Sequence, residues 1–308
     1  MKIGVNIAGG EFGQLGQAYG YGYIYPSHAE IDYYAAKGMD VIRVPFLWER
    51  VQKAQKGALD STELARLDDV VNYATSKGML VDLDMHNYGY GFGAQVGSAQ
   101  TPTSSFSDFW GKFAGHYAGN SKVMFGLMNE PHDQTATAWL PSVNDAIANI
   151  RGAGATSQTI LVPGTYWDGA WTWVSSDNDT VIGQGVKDPN KNFAFEVHQY
   201  LDGDGSGTST AVASTTIGAD RLKAITDWAT TTHNKLFLGE FGVGSDSTSI
   251  AALDNMLNYM TQHQDVWQGA TYWAGGPWWG NYMFSIEPQN GHDAAQMGVV
   301  AHYADILV

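Results

Sequence analysis

The stretch Val41-Ile42-Arg43-Val44-Pro45-Phe46 is apolar on both faces of an extended chain and is interrupted by a single arginine. A strand that helices cover on both sides of a parallel sheet has this pattern, whereas a strand with one solvated face alternates apolar and polar residues. Seven other segments have the same character: Ile3–Ala8, Leu80–His86, Val123–Asn129, Thr159–Pro163, Phe193–Tyr200, Leu236–Phe241 and Gly269–Trp273. The sequence therefore predicts eight buried strands.

Helical patterns separate the predicted strands. The apolar residues of segments 64–74 and 250–260 recur at helical spacing. Asp60 and Glu63 have the spacing of an N-cap and the third helical residue, and Ser105 and Asp108 have the same spacing. We predict that one helix begins after Asp60 and another after Ser105.

Alternating strands and helices over 308 residues fit the α/β fold class and a single (β/α)8 TIM barrel. A doubly wound open sheet is the main competitor. It would need a glycine-rich phosphate loop after its first strand, and Gly9-Gly10-Glu11-Phe12-Gly13 does not match that spacing. The segment 167–185 is irregular, and no linker, repeat or low-complexity tract divides the chain. We predict one domain over residues 1–308.

The composition excludes several classes of function. The chain has 16 basic and 31 acidic residues, so its surface repels phosphate backbones and we expect no nucleic-acid partner. It has no cysteine, which excludes a thiol nucleophile and a thiolate metal site. No apolar run reaches the roughly 20 residues that span a bilayer, so we expect no membrane insertion. The aromatic content of 13% suits a large core and sugar binding equally well.

The active site of such a barrel lies at the carboxyl-terminal ends of the strands. Polar or aromatic side chains interrupt or end the predicted strands at these positions: Arg43, His86, Asn129, Glu130, His198, Tyr200, Glu240 and Trp273. Each one alone could be structural, as a buried ion-pair partner, a core histidine or a packed ring. Their recurrence at successive strand ends favours a functional site.

Two of these residues are glutamates that can meet across the barrel mouth. Glu130 precedes Pro131, which ends the fourth predicted strand, and Glu240 lies near the end of the seventh. Glycoside hydrolysis requires two opposed carboxyl groups, and a separation of about 5–5.5 Å gives retention of configuration at the anomeric carbon. The pair therefore favours a retaining glycosidase over two rim glutamates in surface ion pairs.

Five motifs resemble those of glycoside hydrolase family 5: Arg43-Val44-Pro45-Phe46, Asp84-Met85-His86-Asn87-Tyr88, Asn129-Glu130-Pro131, His198-Gln199-Tyr200 and Gly239-Glu240-Phe241-Gly242. The segment 201–208 is similar to the branch that contains many fungal and some bacterial endo-β-1,4-glucanases. The likeness runs in order from Ile3 to Trp273. It implies endo-acting cleavage of cellulose and related β-1,4-glucans by double displacement, without a cofactor or a metal ion.

The resemblance implies a role for each residue of the pair and its neighbours. Glu130 would be the acid/base and Glu240 the nucleophile. Arg43 and a hydrogen bond from Tyr200 would favour the ionised form of Glu240. His198 would tune the protonation of Glu130.

The remaining predicted site residues would bind the substrate. His86 and Asn129 would hold sugar hydroxyls, with Asn129 on the 2-hydroxyl, and Trp273 would form the floor at the cleavage point. Trp167 and Trp171 follow the fifth predicted strand, and we predict that they are further sugar platforms.

Three alternatives stay open. The same mechanism could act on mannan, xyloglucan or mixed-linkage glucan, because the loops around the cleft set specificity. A metal-assisted hydrolase could use His86, His198, His132 and nearby acids. A lectin-like barrel would bind a glucan without cutting it, and the presence of both carboxylates disfavours this reading.

The expected partner is a β-glucan polysaccharide or oligosaccharide. We expect a monomer with one catalytic domain and no attached carbohydrate-binding module. The resemblance implies a secreted, extracellular enzyme. Because Ile3–Ala8 already has strand character, its signal peptide would have been removed before Met1.

Overall fold

Ten strands lie within residues 1–306, the part of the chain that the computed structural model describes. In chain order they are β1 Lys2–Ile7, β2 Val41–Phe46, β3 Leu80–Met85, β4 Tyr90–Gly91, β5 Ala94–Gln95, β6 Val123–Gly126, β7 Ile160–Pro163, β8 Phe193–His198, β9 Leu236–Phe241 and β10 Trp267–Gly275. Eight of them close into a parallel barrel in the ring order β1-β10-β9-β8-β7-β6-β3-β2, and β4 and β5 form a separate hairpin. The eight predicted strands are present, and the predicted (β/α)8 TIM barrel is confirmed.

The barrel closes where its first strand meets its last. Lys2 of β1 pairs with Gly269 of β10, and Gly4 of β1 pairs with Val41 of β2. Both edges of β1 are therefore hydrogen-bonded. Closure removes the free edges of the sheet and brings the carboxyl ends of all eight strands to one mouth.

Helices surround the barrel. Within the described residues they are α1 His28–Ala36, α2 Trp48–Val51, α3 Ser61–Ser76, α4 Thr103–Tyr117, α5 Ala136–Gly152, α6 Gly183–Gly185, α7 Ile217–Thr232, α8 Ser247–Thr261 and α9 Ala295–Ile306, with a π-helical turn at Asn178–Ile182. The α3 helix begins as predicted, because the Asp60 side chain accepts the backbone N–H groups of Thr62 and Glu63. None of these helices is long and apolar enough to cross a bilayer.

The predicted start of α4 is wrong. The helix begins at Thr103, with Pro102 at the N-cap position, and Ser105 lies inside its first turn. The Ser105 N–H donates to the Pro102 carbonyl at 2.8 Å. Proline has no N–H to satisfy and its fixed φ suits a helix start, so it outweighs the serine and aspartate spacing.

The segment after β7 is irregular, as predicted, and its backbone is unusual. Tyr166, Trp167 and Asp168 are three consecutive left-handed residues, with φ of 58, 55 and 54°. The fully buried Asn178 anchors the start of this segment, because its side chain accepts the Thr165 N–H at 2.9 Å and donates to the Thr165 carbonyl at 3.0 Å.

The amino-terminal end of the barrel interior is closed by apolar side chains. The cluster, which we call the lower plug, consists of Val41, Met124, Leu161, Ala194 and Phe237. Each of these residues is the first or second residue of its strand. The lower plug therefore seals the barrel at the end opposite the mouth.

Candidate active site

Glu130 and Glu240 lie together at the carboxyl-terminal mouth of the barrel. Glu240 is in β9, and Glu130 lies in the loop after β6, directly before Pro131. A carboxylate oxygen of each and a ring nitrogen of His198 all lie within 4.8 Å of one another. Such spacing allows one carboxylate to attack a carbon while the other reaches the leaving oxygen, whereas a water-mediated attack needs about 6.5–9.5 Å between the carboxyl groups.

Two donors hold the carboxylate of Glu240. Arg43 donates from Nη1 to Oε1 at 3.0 Å, and the Tyr200 hydroxyl donates to Oε2 at 2.8 Å. Only 6% of the Glu240 side chain is exposed, so these bonds act where little water competes with them. These two hydrogen bonds fix the position of the Glu240 carboxylate within the pocket.

His198 contacts both carboxylates from one nitrogen. Its Nδ1 lies 2.8 Å from Oε1 of Glu130 and 3.6 Å from Oε2 of Glu240. Burial alone would lower the pKa of His198, but the adjacent Glu240 and Glu130 carboxylates outweigh burial and raise it well above its usual value. His198 thus lies between the two acids in surroundings that favour its charged form.

Asn129 presents one unused donor in the same pocket. Its side-chain oxygen accepts a hydrogen bond from Nη2 of Arg43 at 2.9 Å, which fixes the orientation of the amide. Its buried Nδ2 has no acceptor among residues 1–306. A buried amide of this kind is a ready donor to a sugar hydroxyl, because leaving it unpaired costs about 1–3 kcal/mol.

His86 and Trp273 form a stacked pair beside the carboxylates. Their rings are 5.3 Å apart and nearly parallel, at 10°. His86 Nδ1 lies 2.7 Å from the Asp84 carboxylate, and its Nε2 lies 3.2 Å from the Tyr88 hydroxyl. Burial alone would lower the pKa of His86, but Asp84 outweighs it and raises this pKa.

Trp167 and Trp171 line, together with the exposed Tyr166, a cavity of about 390 Å³ that opens next to Glu130 and His198. They are 51% and 48% exposed, which is unusual for tryptophan and leaves flat apolar surface available. Arg221 covers part of Trp171, at 4.4 Å from its ring centre. The geometry therefore brings every predicted site residue to the mouth of the barrel or to this adjoining cavity.

Three buried acids beneath the mouth were not predicted. Their carboxylates surround Arg43: Asp82 at 3.4 Å, Asp84 at 3.1 Å and Glu196 at 2.9 Å. Their signal was present in the sequence, since each is an acidic residue inside an otherwise apolar strand. Attention to strand ends alone missed them.

Arg43 is the cation that keeps this group of acids together. Burial alone would lower its pKa, but the surrounding carboxylates, beginning with Asp84, raise it well above the usual value. Burial and the neighbouring Glu196 raise the pKa of Asp82, whereas Arg43 overcomes burial and lowers that of Glu196. Of these two acids, Asp82 is therefore the one whose protonated form the surroundings favour.

Asp168 was also missed, and no pattern in the sequence marks it. It is fully buried, and its Oδ2 accepts the backbone N–H of Glu130 at 3.0 Å. Burial raises the pKa of Asp168 well above its usual value.

The three histidines of the metal-assisted alternative do not form a group. Among the described residues, the acids and histidines with metal-site spacing are Glu130, His198 and Glu240. His86 is instead bound to Asp84, and His132 Nδ1 lies 3.0 Å from the Glu130 carbonyl oxygen.

The chain matches a known protein family and is similar in sequence to curated proteins. The family model described as "Cellulase (glycosyl hydrolase family 5)" matches residues 4–276. A curated relative, the probable endo-β-1,4-glucanase B of Neosartorya fischeri, is 42% identical over 97% of this chain and 89% of its own length.

Solved structures show the same similarity in three dimensions. The crystal structure of an endo-β-1,4-glucanase from Xanthomonas axonopodis pv. citri superimposes with a TM-score of 0.97 at 39% identity and covers 99% of each chain. The structure of XacCel5A in complex with cellopentaose has a TM-score of 0.96 at 38% identity and covers 98% of each chain.

Proposed function

The chain belongs to the cellulase family, glycosyl hydrolase family 5, and from that premise we propose that it cleaves internal β-1,4-glucosidic bonds of cellulose and related β-glucans with retention of configuration. The observation that carries the proposal is the close approach of Glu130 and Glu240, whose oxygens lie within 4.8 Å in one pocket. That separation suits direct attack on the sugar.

In the first step Glu240 attacks the anomeric carbon. The bond between this carbon and the glycosidic oxygen breaks, and Glu130 transfers its proton to the departing oxygen. Glu130 must hold a proton at this stage, since the glycosidic oxygen leaves as a hydroxyl group.

In the second step a water molecule releases the sugar from Glu240. Glu130 removes a proton from this water, and the oxygen attacks the same carbon as the bond to Glu240 breaks. Covalent attachment to the sugar leaves no negative charge on Glu240 beside Glu130, and the contact of His198 Nδ1 at 2.8 Å holds the Glu130 carboxyl group in place. Both effects suit Glu130 to act as a base at this stage.

Substrate contacts follow from the remaining side chains. The free Nδ2 of Asn129 would donate to the 2-hydroxyl, a contact that strengthens in the transition state. Trp273 would lie beneath the sugar at the cleavage point. Trp167 and Trp171 would carry sugars on the leaving-group side, and the relative with cellopentaose bound supports an oligosaccharide ligand.

Replacing Glu240 with Gln tests the nucleophile. We expect kcat on carboxymethyl-cellulose to fall by about 10⁴-fold or more, since the amide cannot form the covalent intermediate. The thermal unfolding midpoint should stay close to that of the wild type. Asp227→Asn, on the exposed side of α7, is the control and should keep full activity. A Glu240→Gln enzyme with wild-type kcat would disprove the assignment.

Two further measurements address substrate and cofactor. Initial rates should be compared on four polysaccharides. We expect higher rates on barley β-glucan and carboxymethyl-cellulose, whose glucan backbones are unbranched, than on mannan or xyloglucan. Activity should persist in excess EDTA, because proton transfer and covalent attack need no metal ion. Loss of activity in EDTA, restored by a divalent cation, would instead support the metal-assisted mechanism.

We also propose that the protein acts outside the cell as a monomeric catalytic domain. A β-glucan polymer cannot enter a cell intact, so an endo-acting enzyme must meet it outside. Activity of the native host should be found in the culture medium, and light scattering should give the monomer mass of 33.4 kDa. Activity confined to the cell lysate, or a dimer mass, would contradict these two proposals.

A further inference from the structure

The turn formed by Tyr166, Trp167 and Asp168, here called the left-handed turn, is held in a costly conformation. Left-handed backbone normally occurs as single glycine, asparagine or aspartate residues and costs about 1–2 kcal/mol per residue with a side chain. Three such residues occur in succession here. Strain of this kind persists only where the surrounding contacts fix it, and it concentrates at functional sites.

The left-handed turn is held by contacts with the loop that carries the acid/base, Glu130. The Glu130 N–H donates to the Asp168 carboxylate at 3.0 Å, and the Trp167 N–H donates to the Pro131 carbonyl at 3.2 Å. The Trp167 ring stacks on His132 at 4.6 Å and 10°. Glu130 itself has a left-handed φ of 43°. The two strained segments therefore hold each other in place.

The same turn also holds the histidine that contacts both carboxylates. The His198 N–H donates to the Asp168 carbonyl at 2.9 Å, and the Ala170 N–H donates to the His198 carbonyl at 2.9 Å. Asp168 thus fixes the backbone of Glu130 with its side chain and the backbone of His198 with its main chain. A shift of Asp168 would move both partners of the Glu130–His198 hydrogen bond.

The side chain of Asp168 has no other partner in the described part of the chain. It is fully buried, and its second oxygen, Oδ1, makes no hydrogen bond there. Burying a carboxyl group costs free energy that one backbone N–H does not fully offset.

We propose that Asp168 is a positioning residue for Glu130, and that it couples the acid/base to the leaving-group side of the cleft through Trp167. This inference rests on the proposed function. A sugar packed on the exposed face of Trp167 would press on the left-handed turn, whose last residue, Asp168, accepts the Glu130 N–H. Binding of the leaving-group sugar on Trp167 then helps to orient the proton donor, Glu130.

The test compares two leaving groups in Asp168→Ala and Asp168→Asn. Cleavage of cellopentaose needs the proton from Glu130, whereas 2,4-dinitrophenolate leaves dinitrophenyl β-cellobioside without one. For Asp168→Ala we expect kcat/KM on cellopentaose to fall by about 10²-fold. Its pre-steady-state dinitrophenolate burst rate should remain within about threefold of the wild type, since a misplaced acid does not slow that step. Asp168→Asn keeps an acceptor oxygen for the Glu130 N–H and should recover most of the cellopentaose activity.

Two results would overturn the positioning role. Equal losses on both substrates in Asp168→Ala and Asp168→Asn would mean that Asp168 supports the site as a whole, and unchanged rates on both would mean that it positions nothing. Trp167→Ala tests the coupling. Its cellopentaose loss should be smaller in the Asp168→Ala background than in the wild type, and additive losses would refute the coupling.

Glu130→Gln separates failure of this inference from failure of the proposed function. If Glu130 is the acid, this variant should retain the dinitrophenolate burst while losing cellopentaose activity. A lost burst would mean that the acid/base assignment itself is wrong. A retained burst together with unchanged Asp168→Ala kinetics would reject only the positioning role.

Discussion

At the amino-terminal end of the barrel the interior is filled by the lower plug, five apolar side chains that need only close packing. Toward the carboxyl-terminal mouth, strands of the same barrel surround Arg43 with four carboxylates, those of Asp82, Asp84, Glu196 and Glu240. The lower plug gains free energy from burial, whereas the mouth must compensate the desolvation of several charges. The lower plug therefore contributes stability, whereas the mouth lowers stability in exchange for orienting the reactive groups.

The largest effect should come from removing Arg43, the cation among these carboxylates. In Arg43→Met the buried carboxylates lose their counter-charge, so we expect a loss of about 3–5 kcal/mol in the free energy of unfolding. Activity should fall by at least about 10²-fold, because Glu240 loses a preorganised donor. Urea unfolding and initial rates measure the two effects. Part of the stability should return as the pH falls, since the carboxylates can then take up protons.

Arg151→Met is the matched control for this prediction. Arg151 is also buried and pairs with Asp188 at 2.8 Å, but it lies outside the mouth. Its loss should lower stability by a similar amount and leave kcat unchanged. If Arg151→Met also reduced kcat, or if Arg43→Met spared it, the distinction between the mouth and the rest of the fold would fail.

A cavity in the lower plug should lower stability without lowering activity, in contrast to Arg43→Met. Phe237 is 3% exposed, and truncation to Ala should cost about 3–5 kcal/mol of stability through lost burial and an unfilled cavity. Because Phe237 lies at the start of β9, away from Glu240, kcat at 25 °C should not change. Phe237→Leu should lose less stability. A kcat that falls along with stability would show that the lower plug also shapes the mouth.

The smallest expected effect concerns the pH dependence of stability in Asp82→Asn. Burial raises the pKa of Asp82, so the folded state retains a proton that the unfolded chain releases as pH rises. The stability of the wild type should then decline with pH above the unfolded value, and Asn, which resembles the protonated acid, should remove that decline. Thermal unfolding of both proteins from pH 5 to pH 8 should show a difference in favour of Asp82→Asn that grows with pH. A constant difference would contradict the protonated assignment.

The fold was predictable because the information is local and repeated. Eight apolar segments separated by helical patterns specify buried parallel strands, and the start of α3 followed from Asp60. The start of α4 was mispredicted because Pro102 outweighed a plausible capping pair. The hairpin of β4 and β5 was missed, since two-residue strands carry no periodicity.

The site was predictable to the extent that its residues end strands. Because the parallel strands all end at one mouth, residues at strand ends such as Glu130 and Glu240 lie close together in the fold. Asp168 was not predictable in this way. It lies in an irregular segment, and its contact with the Glu130 N–H depends on the left-handed turn, which leaves no pattern in the sequence.

The closure of the barrel through β1 and β10 has a consequence for biosynthesis. Lys2 leaves the ribosome early in the synthesis of the barrel, and its pairing partner Gly269 is made 267 residues later. Until then the nascent sheet has two unpaired edges that can pair with other chains. Such non-local closure slows folding and exposes the chain to aggregation. Folding during synthesis must therefore proceed through an open, aggregation-prone sheet, and a chaperone would be needed most in that interval.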